Sequence, residues 1–234
     1  MSIEIILDGR TVNAQDGQLL VDVAAENGIY IPTLCHVKNQ PALGTCRVCS
    51  IRVNGAVVPA CAIVARDGIV VEMDTPEMRD MRKALVESLF VEGNHNCPSC
   101  EKSGRCQLQA VGYEVDMMVA RFPYRYPVRQ ADHEPDRIWL ERDRCIFCQR
   151  CVELVKDEAT GARIFTIHGR GPTARIDVDA ELVAAMTPRQ VKQAVALCPV
   201  GAILEKGVGF DEPIGHRKFE IRTARARALG KASE

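Results

Sequence analysis

The sequence predicts an α+β chain of three small modules in series, and three observations predict it. Two tight hairpin signals, Asp8-Gly9 and Asn54-Gly55, sit among short strand-like runs in the first 75 residues. A well-signalled helix begins immediately after them at Thr75-Pro76-Glu77. The eleven cysteines fall into three groups separated along the chain, and an odd number cannot all pair as disulfides.

Residues 3–7 read as a strand, Asp8-Gly9 as its turn and 10–13 as an antiparallel return. Apolar residues recur at helical spacing over 19–27, and Gly28 marks the stop. Runs 51–53 and 57–61 flank Asn54-Gly55, and Asp67-Gly68 leads into 69–73. A small sheet with one helix across it is the β-grasp outline. Thr75 is an N-cap, Pro76 and Glu77 suit the first turn, and Met78, Met81, Leu85 and Leu89 carry the helix toward Gly93. A cysteine-bearing helical segment follows over about 106–118, then an aromatic, proline-containing linker. From 207 onward, glycine and proline precede an Arg-rich stretch (Arg217, Arg222, Arg225, Arg227), which reads as an exposed, solvated or partner-covered tail. The modules are therefore 1–75, 76–120 and 136–205, with a linker at 121–135 and a tail at 206–234.

Thirty basic against thirty-one acidic residues give a net charge of -1, too weak a field to recruit nucleic acid. No apolar run approaches the ~18 residues of a membrane helix, and the N-terminus lacks a basic and apolar leader. The expected location is the cytoplasm, where thiols stay reduced and clustered cysteines read as metal or redox sites. Catalytic motifs are absent. Gly169-Arg170-Gly171-Pro172-Thr173-Ala174 fits a dinucleotide pattern on paper, yet Pro172 interrupts it and 175–178 continues as a strand, so it reads as a turn. Trp139 reads as core, and His36, His133, His168 and His216 have no convergent partners. With metal clusters and no organic-substrate site the chain is a conductor, and hydride chemistry belongs to another subunit.

Group one is Cys35, Cys46, Cys49 and Cys61, spaced C-x10-C-x2-C-x11-C. Four thiolates in a turn-rich loop suit a [2Fe-2S] cluster, whose two irons need four terminal ligands. The alternative is a zinc site, which favours paired C-x2-C knuckles where this group has one. Group two is Cys97, Cys100 and Cys106, spaced C-x2-C-x5-C, with His95 two residues ahead to fill the fourth corner of a [4Fe-4S] cluster. Group three is Cys145, Cys148 and Cys151, spaced C-x2-C-x2-C, with Cys198-Pro199 downstream. In a two-cluster ferredoxin the twin cluster would use positions 155, 188, 191 and 194, here Val, Pro, Val and Ala. One complete [4Fe-4S] set is kept and its twin is lost, so the third module reads as ferredoxin-like. The three groups account for all eleven cysteines.

Group one, the Gly93-Asn94-His95-Asn96-Cys97-Pro98-Ser99-Cys100 segment with Cys106-Gln107-Leu108-Gln109, and the Cys145 triplet with Cys198-Pro199 occur in an order that resembles the N-terminal part of the large iron-sulfur subunit of respiratory complex I. The chain stops after one ferredoxin-type site, and in that truncated form it resembles the HoxU-type small diaphorase subunits of NAD-reducing [NiFe] hydrogenases. The resemblance implies a subunit that wires a hydrogenase small subunit, and through it the NiFe large subunit, to a flavin-bearing, NAD-binding diaphorase partner that holds FMN and NAD. It also implies that the two [4Fe-4S] sites form the main path with the [2Fe-2S] site aside. In complex I the histidine ligand stands four residues before the first cysteine, where this chain has Gly93. Related wiring serves NAD-dependent formate dehydrogenases and bifurcating complexes, and a zinc-stabilised interaction module is the alternative of another class.

Overall fold

Both hairpin signals fold as hairpins in the computed structural model, which describes residues 1–231. Asp8 and Gly9 (φ 48° and 78°) and Asn54 and Gly55 (φ 45° and 85°) take the two positive φ angles that a type I′ turn requires. They join β1 (Ser2–Leu7) to β2 (Arg10–Gln15), and β3 (Ser50–Val53) to β4 (Ala56–Pro59). With β5 (Val70–Glu72) these strands form one sheet in the order β2-β1-β5-β3-β4, where β1 and β5 run parallel and the other pairs antiparallel.

Across the sheet lies α1 (Leu20–Glu26), shorter at both ends than the 19–27 expected. It stops in a Schellman motif, with Ile29 N–H donating to the Ala24 carbonyl and Gly28 N–H to that of Ala25. Leu20, Val23 and Ala24 are buried against Ile3, Ile5, Leu7, Ile51 and Val71, giving this region its own apolar core.

Thr75 caps α2 (Pro76–Val91) by accepting the Met78 N–H at 3.2 Å. Buried Arg82 ties that helix to the sheet, donating to the carbonyls of Ser50 and Met73. Helix α3 (Gln107–Glu114) ends short of residue 118 because Asp116 turns left-handed (φ 53°), its carbonyl held by Lys83 Nζ at 2.7 Å. The chain then runs extended, pinned where Arg125 N–H meets the Val91 carbonyl and Asn94 Nδ2 that of Pro127.

Beyond it, β6 (Ile138–Leu140) pairs antiparallel with β9 (Ile203–Glu205). Between these strands come α4 (Arg150–Leu154), the hairpin of β7 (Phe165–His168) and β8 (Arg175–Val178), α5 (Ala180–Ala185) and α6 (Pro188–Leu197). The Gly169–Ala174 stretch is the turn of that hairpin. Trp139 is half-buried and stacks on His133 with ring centroids 4.9 Å apart. Val155, Val191 and Ala194, three of the positions a twin cluster would need, are buried in apolar packing.

The last described segment holds α7 (Lys218–Ile221) and α8 (Ala224–Ala228). It is largely exposed as expected, but it is anchored to the chain. Phe219 N–H donates to the Gly104 carbonyl at 2.8 Å, Arg105 pairs with Asp211 at 2.6 Å, and Arg225 pairs with Glu114 while lying over the Tyr30 ring. Among the described residues no helix is long and apolar enough to cross a membrane.

A second apolar core joins α2, α3 and the third region, and it draws in Leu34, Cys35, Cys46 and Val48 from the first. This sharing brings the three cysteine groups together.

Candidate metal centres

Group one hangs on the long loop from α1 to β3 and on the turn after β4. Cys49 and Cys61 belong to the sheet's core, Cys35 and Cys46 to the shared one, so the group straddles the seam between them. All four are buried, and their thiols contact one another, Cys35 with Cys46 and Cys61, and Cys49 with Cys61. Those contacts hold Cys35 and Cys49 below the ordinary thiol range and push Cys46 and Cys61 above it. Arg47 takes φ 59° between Cys46 and Cys49, which folds the C-x2-C loop tightly.

Group three is built by a loop and a helix end. Phe147 and Gln149 take left-handed φ angles of 50° and 62°, so the loop coils around its own interior before α4 starts at Arg150. Backbone concavities of this type present N–H groups to anions; here Phe147 N–H points at Cys145 Sγ at 3.4 Å. Cys198 arrives from the C-terminal end of α6. All four cysteines line one cavity, walled otherwise mainly by apolar side chains such as Ile146, Ile176, Val200 and Ile203. Burial pushes the Cys145 thiol up to about 11 and Cys148 up to about 12, and Cys151 well above its ordinary value. Thiols in such a site shed their protons only when a cation replaces them.

Group two starts on a 3₁₀ turn, Cys97–Ser99, and ends at Cys106, the N-cap of α3, whose sulfur accepts the Gln109 N–H at 3.4 Å. Cys97 and Cys100 are close enough to push up the Cys106 thiol, to about 12, with burial as the larger cause. His95 stands apart in character. Its Nε2 is buried with no hydrogen-bond partner among the described residues. Burial holds this imidazole down to about 4, so the ring is uncharged at neutral pH. A Cβ on Gly93 would lie 2.5 Å from that Nε2. The imidazole thus reaches back to the chain position that carries the histidine in the complex I pattern, and glycine leaves it room.

The three groups touch. Thr45 Oγ1 donates to the Cys148 carbonyl at 3.1 Å, joining group one directly to group three. Cys100 Sγ lies 2.7 Å from where a Gly201 Cβ would be, joining group two to the loop after Cys198. Group three therefore lies against both others. The cysteines are all free thiols, and among the described residues no three His, Cys, Asp or Glu side chains are placed to hold a single metal ion. A cluster asks for a different arrangement, with thiolates spread over several irons. The enclosed cavity of four thiols and the orphaned Nε2 suit that donor set. Sequence reasoning missed the residues between the groups, Thr45, Arg150 and Gly201, because no spacing rule marks a contact made across the fold.

Three family profiles match in series: a 2Fe-2S iron-sulfur cluster binding domain over residues 1–76, an NADH-ubiquinone oxidoreductase-G iron-sulfur binding region over 82–121, and a 4Fe-4S single cluster domain over 138–204. The chain is 68% identical over 229 residues to the gamma subunit of the NAD-reducing hydrogenase HoxS of Cupriavidus necator, covering 98% of each chain. It is 32% identical over 212 residues to a G-type NADH-quinone oxidoreductase subunit of Rhizobium meliloti, covering 86% of this chain and 24% of that longer one. Among solved structures it superposes on a chain of an NAD+-reducing [NiFe]-hydrogenase in the H2-reduced state with a TM-score of 0.86, 36% identity and 97% of both chains covered.

Proposed function

Because the chain belongs to the family of the NAD-reducing hydrogenase gamma subunit, we propose that it relays single electrons between a hydrogenase small subunit and a flavin-bearing, NAD-binding partner in the cytoplasm. It is an iron-sulfur electron-transfer subunit of an oxidoreductase complex. In this reading Cys35, Cys46, Cys49 and Cys61 hold a [2Fe-2S] cluster, and Cys145, Cys148, Cys151 and Cys198 a [4Fe-4S] cluster. His95 with Cys97, Cys100 and Cys106 holds the second [4Fe-4S] cluster. The modules carrying them are 1–75, 136–205 and 76–120. FMN and NAD sit on the partner.

When bound, such clusters take up and release one electron at a time, which divides the two-electron chemistry of H2 and hydride into single transfers. The protein's own work is placement. Thr45 fixes the Cys46 loop against Cys148, the close approach at Gly201 seats Cys100 beside the Cys198 loop, and Gln107 ties the Cys106 end of group two to the Thr33 carbonyl before Cys35, so the three ligand loops meet one another. Apolar walls around group three keep water from the thiolates. The observation that carries this reading is the meeting of cysteines from all three groups in one shared apolar core.

The assembled chain should hold ten irons, two at group one and four at each other group. Iron and acid-labile sulfide per chain, with absorbance bleached by dithionite, measure this. A colourless chain with stoichiometric zinc would sink it. Purifying the chain with its partners decides between a hydrogenase and the formate dehydrogenase or bifurcating alternatives.

A further inference from the structure

Arg150 is 6% exposed, and its guanidinium reaches toward all three cysteine groups at once. Nη2 donates to the His36 carbonyl at 2.8 Å, next to Cys35 of group one. Nη1 donates to Gln107 Oε1 at 3.1 Å, next to Cys106 of group two, and to the Leu197 carbonyl at 3.3 Å, next to Cys198 of group three. Arg150 itself precedes Cys151. Its third nitrogen, Nε, is buried without a hydrogen-bond partner among the described residues. The charge is within the electrostatic reach of thiols from two groups, Cys148 and Cys198 together with Cys35 and Cys46.

A buried cation is costly unless an opposite charge compensates it. The acceptors named above are a neutral side-chain amide and two carbonyls. The opposite charge has to come from the thiolates and whatever they bind. A cluster with four thiolate ligands is anionic, and each electron it accepts deepens that charge. We propose that Arg150 is the common positioning residue of the relay, a fixed positive charge that stabilises the reduced forms at groups one and three while its forked hydrogen bonds hold the three ligand loops in register. Guanidinium suits this role better than ammonium, since its planar fork serves several acceptors from one buried site.

The inference rests on the cluster reading, and the iron content of the unsubstituted chain checks that reading separately. The test is a redox titration, followed by electron paramagnetic resonance, of the whole complex carrying Arg150→Gln, Arg150→Lys or the control Arg189→Gln. Arg189 is 81% exposed at its side chain and pairs with Glu158, so its loss removes an equal charge at the surface. Arg150→Gln should make reduction at groups one and three about tenfold less favourable, a shift of about 59 mV downward for a one-electron couple. It should slow H2-driven NAD reduction and leave the flavin partner's NADH-to-dye rate unchanged. Arg150→Lys keeps the charge and loses the fork, so the potentials should stay within about threefold in equilibrium constant, about 30 mV, while the overall rate falls. If a ten-iron chain with Arg150→Gln shows unmoved potentials, or if Arg150→Lys shifts them as far as Gln does, the proposal is overturned. If Arg150→Gln loses its iron, Arg150→Lys decides alone: unmoved potentials support the charge role, and loss of iron in both variants reduces Arg150 to a folding residue and overturns it.

Discussion

In the proposed reading, groups two and three hold the same kind of site by different means. Group three closes four cysteines around an apolar cavity, with the coil of Phe147 and Gln149 on one side and the end of α6 on the other. Group two has three cysteines and a histidine that turns back over Gly93, and the carboxy-terminal segment is laid across its loop. The difference teaches that, on this reading, a site closed by four cysteines rests on the two segments that carry them. One completed by a displaced histidine depends as well on small features nearby, such as the missing side chain at Gly93.

The sharpest contrast comes from removing a ligand outright. Cys148→Ser should lower H2-driven NAD reduction by more than the about 100-fold that marks the upper range for losing an outer-sphere contact, with up to four irons lost. Group-two iron should stay if the sites are independent, and iron per chain against Cys100→Ser checks this. Next, His95→Ala should leave the group-two cluster prone to iron loss, whereas His95→Cys should restore a stable all-thiolate cluster at lower potential, since an anionic ligand replaces a neutral one. An unchanged spectrum and iron content in His95→Ala would remove the imidazole from the ligand set.

Smaller effects test the setting of that ring. Gly93→Ala puts a methyl 2.5 Å from Nε2 and 2.9 Å from the Asp143 carbonyl, an overpacking that costs about 1–3 kcal/mol and should displace the ring, read as slower iron incorporation at group two. In the iron-free chain, the His95 imidazole takes its proton near 6.5 when unfolded and near 4 when folded. Between those values the unfolded state binds more protons, so folding stability falls as pH drops from about 6.5 toward 4. The drop in Tm from pH 7 to 5 should be smaller in His95→Leu. The smallest effect is Arg225→Ala, which removes a half-exposed guanidinium from Glu114 but leaves that carboxylate the Arg225 backbone N–H, and should cost about 1 kcal/mol.

Much of this was legible in the sequence. The paired turns Asp8-Gly9 and Asn54-Gly55, the Thr75 cap and the group-three spacing each carry a local physical signal, and the α+β architecture follows from them. Helix α3 fell short of 118 because the left-handed turn at Asp116 is stabilised by Lys83, far away in the chain. The contact of group one with group three was hidden for the same reason, since Thr45 and Cys148 are 103 residues apart. Arg150 looked like any arginine beside a cysteine until folding brought His36, Gln107 and Leu197 to it.

The hold of Phe219 on Gly104 carries a consequence for biogenesis. Every proposed ligand of the three groups precedes residue 199, and the segment laid across the group-two loop is synthesised after all of them. A nascent chain therefore displays a complete but uncovered group-two loop, and the closing of α7 and α8 over it comes after all the cysteines exist.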